Sequence, residues 1–174
     1  MKIDFDNIIN HVISFDNFQL SWRFTDDKYD KLPDQHLDQL KPLDKAASQF
    51  LWEFIADTDL HNEILFKKDF FRTIDNVKIL ADNEREVKKW LYQRGIPFDK
   101  LVFLSWDREN SMIVPWKLLI KYFDCFYYPA SDDLTVFDQS LNWALLFFHE
   151  DKIYFGTNND IKPSKTFADI DFIW

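Results

Sequence analysis

Only two glycines, Gly95 and Gly156, occur in the 174 residues of this chain. Glycine takes positive φ freely and lets a backbone approach a ligand closely. A chain with so few cannot carry a GxGxxG fingerprint, a P-loop or a GxSxG elbow. The same sequence holds nineteen Phe and seven Trp. Aromatic side chains bury large areas and pack in defined geometries. The pairing of scarce glycine with abundant aromatics therefore points to a rigid, heavily packed core and a large contact surface. It points away from the glycine-dependent enzyme classes.

A chain of this length fits one domain, residues 1–174, with a real core that needs no disulfide or metal. Apolar residues make up 47% and charged residues 29%, both ordinary for a globular protein. The single cysteine, Cys125, excludes an internal disulfide and suits a reducing cytoplasm. The opening MKIDFDNIINHVISF lacks the basic n-region and apolar h-region of a signal peptide. The longest apolar run, 143–148, is strand-sized and far short of the ~18 residues that span a bilayer. The expected location is the cytoplasm, away from membranes.

Periodicity divides the chain. Asp4 or Asp6 is placed to cap a first helix carrying Ile8, Ile9, Val12 and Ile13. Strict alternation over 18–24 predicts a half-buried strand. Pro33 suits the start of a short helix over Leu37 and Leu40. From Pro42 onward, Leu43, Ala47, Phe50, Leu51, Phe54 and Ile55 form one helical stripe. Residues 60–80 have no sustained period and read as loop with short elements. A further helix begins at Asp82 or Asn83 and closes at Gly95, with Pro97 beyond.

The remainder reads mainly as strand: hairpins over 101–114 and 143–155, a short strand at 134–137, and extended chain at 126–128. Between them Pro115 opens a helix over Trp116, Leu119, Ile120 and Phe123. The apolar tail, from Phe167 through Ile170 and Phe172 to Trp174, is expected to be tied to the body. The fold class expected is α+β, helices mainly in the N-terminal half and an antiparallel sheet mainly from the C-terminal half. Trp116, Phe123, Trp143, Leu145 and Phe147 are the expected core.

Charge gives the functional lead. The net charge is −9, and residues 1–60 hold twelve acids against six bases. Residues 61–128 hold ten against twelve, and 129–174 hold eight against three. The middle is too weakly basic for a nucleic-acid footprint. Acidic ends that lie together form one negative face. Asp26, Asp27, Asp30, Asp132, Asp133, Asp138, Glu150 and Asp151 all fall in predicted loops and turns. They are the candidate partner-binding residues.

Candidate chemistry is sparse. His11, His36, His61 and His149 share no metal-ligand spacing, so neither a metal nor another cofactor is predicted. Cys125 has no local base and reads as a small buried hydrophobe. No catalytic residue is assigned and no enzymatic activity is expected. The alternative is a small hydrolase using an acidic pair, Asp107 with Glu109, and His149. A structural or oligomerisation module is the third reading.

Two stretches resemble an uncharacterised bacterial domain family. One runs from Trp22, Arg23 and Phe24 through Leu37, Leu40, Pro42 and Leu43 into the helix at Phe50 and Trp52. The other runs from Trp106 and Arg108 through Trp116, Lys121 and Phe123 to Tyr128. Together they cover about half the chain, and they imply no activity. The closing segment, with Asp138, Ser140, Trp143, His149, Glu150, Phe155 and Gly156, resembles the last hairpin of small bacterial toxin-immunity proteins. That resemblance implies an inhibitor that neutralises a cognate, basic toxin protein, and the acidic ends agree with it.

Overall fold

Residues 143–148 read WALLFF, a strand with no polar alternation. Such a strand needs cover on both faces, and the computed structural model supplies it. It describes residues 2–29, 31–160, 162–163 and 166–168. Two short 3₁₀ turns, Ile8–His11 and Phe15–Asn17, precede α1 (Trp22–Thr25), α2 (Asp34–Leu37), β1 (Lys41–Pro42) and α3 (Lys45–Asp57). A small hairpin of β2 (His61–Asn62) and β3 (Leu65–Phe66) leads to β4 (Thr73–Lys78) and α4 (Glu84–Tyr92). Then come β5 (Leu101–Ser105), β6 (Ser111–Pro115), α5 (Trp116–Lys121) and α6 (Phe123–Phe126). The strands β7 (Leu134–Phe137), β8 (Trp143–Phe148) and β9 (Lys152–Thr157) complete the fold.

The class is α+β, as the periodicity predicts. Seven strands form one antiparallel sheet in the order β1-β6-β5-β7-β8-β9-β4, and β2 pairs with β3 apart from it. One sheet face buries Val102, Leu104, Val136, Leu145, Phe147 and Phe155 against Val87 and Leu91 of α4 and Trp116 and Leu119 of α5. The opposite face buries Ile113, Phe137, Ala144 and Leu146 against Ala47, Leu51 and Ile55 of α3, with Phe66 and Phe71 alongside. All five expected core residues are buried. No helix among the described residues is long and apolar enough to cross a membrane.

Several local expectations are corrected. Residues 18–24 form no strand: the chain turns at 19–21 and Trp22–Thr25 is helical. Leu20 and Phe24 are equally an i,i+4 pair, and the helical turn carries the buried Arg23 to Asp132. The first helix shrinks to the 3₁₀ turn at Ile8–His11, and Asp4 caps the turn before it by accepting from the Asn7 backbone N–H. The helix placed from Pro42 begins at Lys45, because Lys41–Pro42 pairs with β6 and Asp44 caps from the Ala47 N–H. Phe126 ends α6, so only the chain after it is extended. Residues 73–78, within the stretch expected to be loop with short elements, form β4 along the whole of β9. As an exposed edge strand it shows little apolar pattern. The tail beyond Ala168 lies outside the described residues.

Both glycines are structurally required. Gly95 takes φ 71° beyond the end of α4. Gly156 lies in β9, where a Cβ would stand 2.0 Å from Cδ2 of the buried Phe71. Other turns manage without glycine. Asp59, Glu63, Asp69 and Asp151 occupy positive φ, as do Ala130 and Leu141. Acidic turn residues thus take positions that glycine commonly fills.

Gly156→Ala is expected to destabilise the protein by about 1–3 kcal/mol, because Phe71 must give way. Phe147→Ala empties a fully buried site and is expected to cost about 3–5 kcal/mol. Denaturant unfolding measures both.

Candidate functional site

Arg23 is the unusual residue at one end of the molecule. It is only 8% exposed, on a one-turn helix, and needs a partner for its charge. Asp132 supplies it, accepting from Nη1 at 2.5 Å and Nη2 at 3.1 Å. Both side chains are buried. Asp132 also accepts from the Tyr128 backbone N–H at 2.8 Å, which fixes the loop before β7.

Three aromatic rings surround this pair. The Arg23 guanidinium lies 5.4 Å from the Trp22 ring centroid and 5.7 Å from that of Tyr128. Trp22 and Tyr29 lie 5.4 Å apart, and Trp22 and Tyr128 6.0 Å apart. Their exposures are 37%, 38% and 41%, high for rings that already contact one another. The Tyr29 phenol is pushed above its ordinary value, first by the Tyr128 hydroxyl beside it. An exposed Trp/Tyr cluster braced by a buried arginine has the composition of an interface hot spot.

Tyr127 links this end to the β8–β9 turn. Its hydroxyl donates to the Phe148 carbonyl at 2.7 Å and accepts from the Asp151 N–H at 3.2 Å. Its phenol is pushed up to about 12, by burial first and then by the negative charges of Asp151, Asp133 and Asp132. Asp133 accepts from both the backbone N–H and Nδ1 of His149, at 3.1 and 2.9 Å.

The predicted acids therefore divide. Asp26, Asp27, Asp132, Asp133, Glu150 and Asp151 come together at this end. Asp27 and Glu150 are exposed, and Asp27 pairs with Lys31. Asp26 accepts from the Lys28 N–H and so shapes its own turn. Asp30 lies outside the described residues. Two of the acids are engaged within the fold. Asp132 is consumed internally by Arg23. Asp138 sits beyond the far end of β7, buried, accepting from Trp143 Nε1 and the Ser140 N–H, with Lys100 beside it.

The alternative acidic pair does not assemble with His149. Asp107 accepts from the Glu109 and Asn110 N–H groups within its own turn, and Glu109 pairs with Lys45. His149 is bonded to Asp133 instead.

A cavity of about 490 Å³ adjoins the same end on the α3 side of the sheet. Ser105 and Thr135 line it as part of a row of hydroxyls set by strand register, since Ser105 pairs with Ser111 on one side and Thr135 on the other. Ser111 Oγ bonds Ser48 Oγ at 2.7 Å, and Thr135 Oγ1 bonds His61 Nε2 at 3.0 Å. Ser105 Oγ, between them, is buried without a hydrogen-bond partner. Burial holds the His61 imidazole below its usual range, against the opposing pull of the Ile64 and Leu65 carbonyls and Asp133. Among the described residues no cluster of His, Cys, Asp or Glu is arranged to hold a metal ion.

Sequence reasoning missed Arg23, Trp22, Tyr29, Tyr128 and the hydroxyl row. The available signal was a charged residue inside an aromatic run at 22–24, and hydroxyls at the ends of otherwise apolar strands. The chain matches no protein-family model, no curated protein and no solved structure.

Asp132→Asn or Arg23→Met leaves one partner of a buried pair uncompensated and is expected to cost about 3–5 kcal/mol in denaturant unfolding. His61 supplies a pH signature. Its folded-state value is depressed, so the unfolded chain binds the proton more readily. Its stabilising share is complete above about pH 6.5 and is lost as the pH falls below that unfolded value. Wild-type stability is expected to fall between about pH 6.5 and 4.5 more steeply than that of His61→Gln, measured by unfolding across that range.

Proposed function

We propose that this chain is an immunity-type inhibitor that acts in the cytoplasm by binding and neutralising a cognate basic toxin protein. The observation that carries the reading is the exposed Trp22/Tyr29/Tyr128 cluster, braced by Arg23 and surrounded by acids. Aromatic anchors of this kind hold a complex through slow dissociation. Asp26, Asp27, Asp133, Glu150 and Asp151 outnumber the nearby Lys28, Lys31 and Lys152, and such a field speeds encounter with a cationic surface. The resemblance of the closing hairpin to toxin-immunity proteins supports the same reading.

The internal bonds of the acids select the test residues. Asp132, Asp133 and Asp138 hold internal bonds, so reversing them perturbs the fold. Asp27 and Glu150 are exposed and serve instead. In stopped-flow binding to the product of the neighbouring gene, Asp27→Lys with Glu150→Lys is expected to slow association ~10-fold at low salt and flatten its salt dependence. Trp22→Ala or Tyr128→Ala is expected to raise the dissociation rate at least ~10-fold with association little changed. Salt-independent association removes the electrostatic part of the proposal, and no binding removes the whole.

A further inference from the structure

The cavity beside the hydroxyl row has features that protein binding at the aromatic cluster does not use. Its volume of about 490 Å³ falls within the range of small-molecule sites. Buried hydroxyls in proteins are almost always hydrogen-bonded. Ser105, 1% exposed, is not, although the hydroxyls on either side of it are. Ser105 is among the residues that line the cavity.

The walls restrict what that group is attached to. Ile55 and Leu146 offer apolar surface, and Trp52 and Trp106 offer aromatic surface. The Trp106 ring is fixed by its Nε1–H, which donates to the Phe126 carbonyl at 2.9 Å. Ionisable lining comes from Asp133, Glu63 and the imidazole of His61, with no lysine or arginine among the described residues. His61 is held in place by Thr135 and by stacking on Phe66, with centroids 5.5 Å apart. An anion would meet two carboxylates and no cation. An ammonium would meet carboxylate oxygens and indole faces, both of which attract it.

We infer that this cavity is a binding site for a small organic amine, an ammonium group on an aromatic or aliphatic body, with Asp133 facing the charge. The site is independent of the toxin-binding reading, because it needs no partner protein.

The test uses the intact chain and three matched probes: phenethylamine, phenethyl alcohol and 3-phenylpropionate. Tryptophan fluorescence and titration calorimetry report binding. The amine is expected to bind at least ~10-fold more tightly than the alcohol, and the carboxylate not at all. Asp133→Asn keeps an oxygen to accept from His149 but removes the charge. It is expected to cost the amine ~10-fold and the alcohol less than ~2-fold. Ala56→Phe, at an exposed helical position on the cavity wall, is expected to abolish binding while leaving the unfolding midpoint near wild type. Three results overturn the inference: equal binding of amine and carboxylate, a selectivity unchanged in Asp133→Asn, or amine binding that survives Ala56→Phe. Absence of any amine binding to the folded wild type at millimolar concentration also overturns it.

Discussion

An antiparallel sheet commonly shows one face to water. Here the central strands are covered on both sides, and that constraint organises the rest of the molecule. All five residues of β6 and all four of β7 are buried. Covering two faces takes two layers, α3 with the β2–β3 hairpin on one side and α4 with α5 on the other. It also takes a large supply of bulky side chains, and the phenylalanines meet it. Phe5 packs edge-on against Phe50 and Phe54, while Phe137 stacks on Phe54. Dense aromatic packing leaves little room for a missing or added atom. Gly156 against Phe71 is the sharpest case.

Polar groups inside so apolar a body are few and committed. Arg23 and Asp132 satisfy most of one another, though Arg23 Nε remains without a partner. The pair joins the N-terminal α1 to the loop before β7, two segments far apart in sequence. It therefore acts as a positional tie for the surface aromatics above it. Breaking a buried pair costs far more than its net contribution suggests, because the surviving charge stays behind. The hydroxyl row is the second commitment. Ser48, Ser111, Thr135 and His61 Nε2 close into bonded pairs across the sheet and its cover, and Ser105 Oγ and His61 Nδ1 are left over.

Much of the fold was legible from the residues, for identifiable reasons. Strands covered on both faces announce themselves as continuous apolar runs, and Pro115 and Gly95 mark real boundaries. The failures share one cause. Alternation at 18–24 and its absence at 73–78 are local patterns, but tertiary partners decide both conformations. Arg23 needs Asp132, which no local pattern reveals, and β4 takes its whole register from β9. The acidic set was half legible. Among the described residues turn propensity put the acids in loops and turns, yet it cannot separate an exposed turn acid such as Glu150 from Asp138, whose carboxylate is spent on Trp143 and Ser140. The cavity was illegible because its hydroxyl lining exists only once the β5, β6 and β7 registers are set.

The sheet ends differently on its two sides. At β1 the strand is two residues long, Pro42 has no N–H to offer, and the Pro42 carbonyl already accepts from the Ile13 N–H. That rim is sealed by the chain itself. At β4 the strand is six residues long and mostly exposed, with every register position paired to β9 on its inner side. Its guard is electrostatic. Asp75 is held by Arg94 and Trp90, and Lys78 ends the strand. The protein is thus a sheet with one closed border and one guarded border, and lateral growth has a single direction in which to begin.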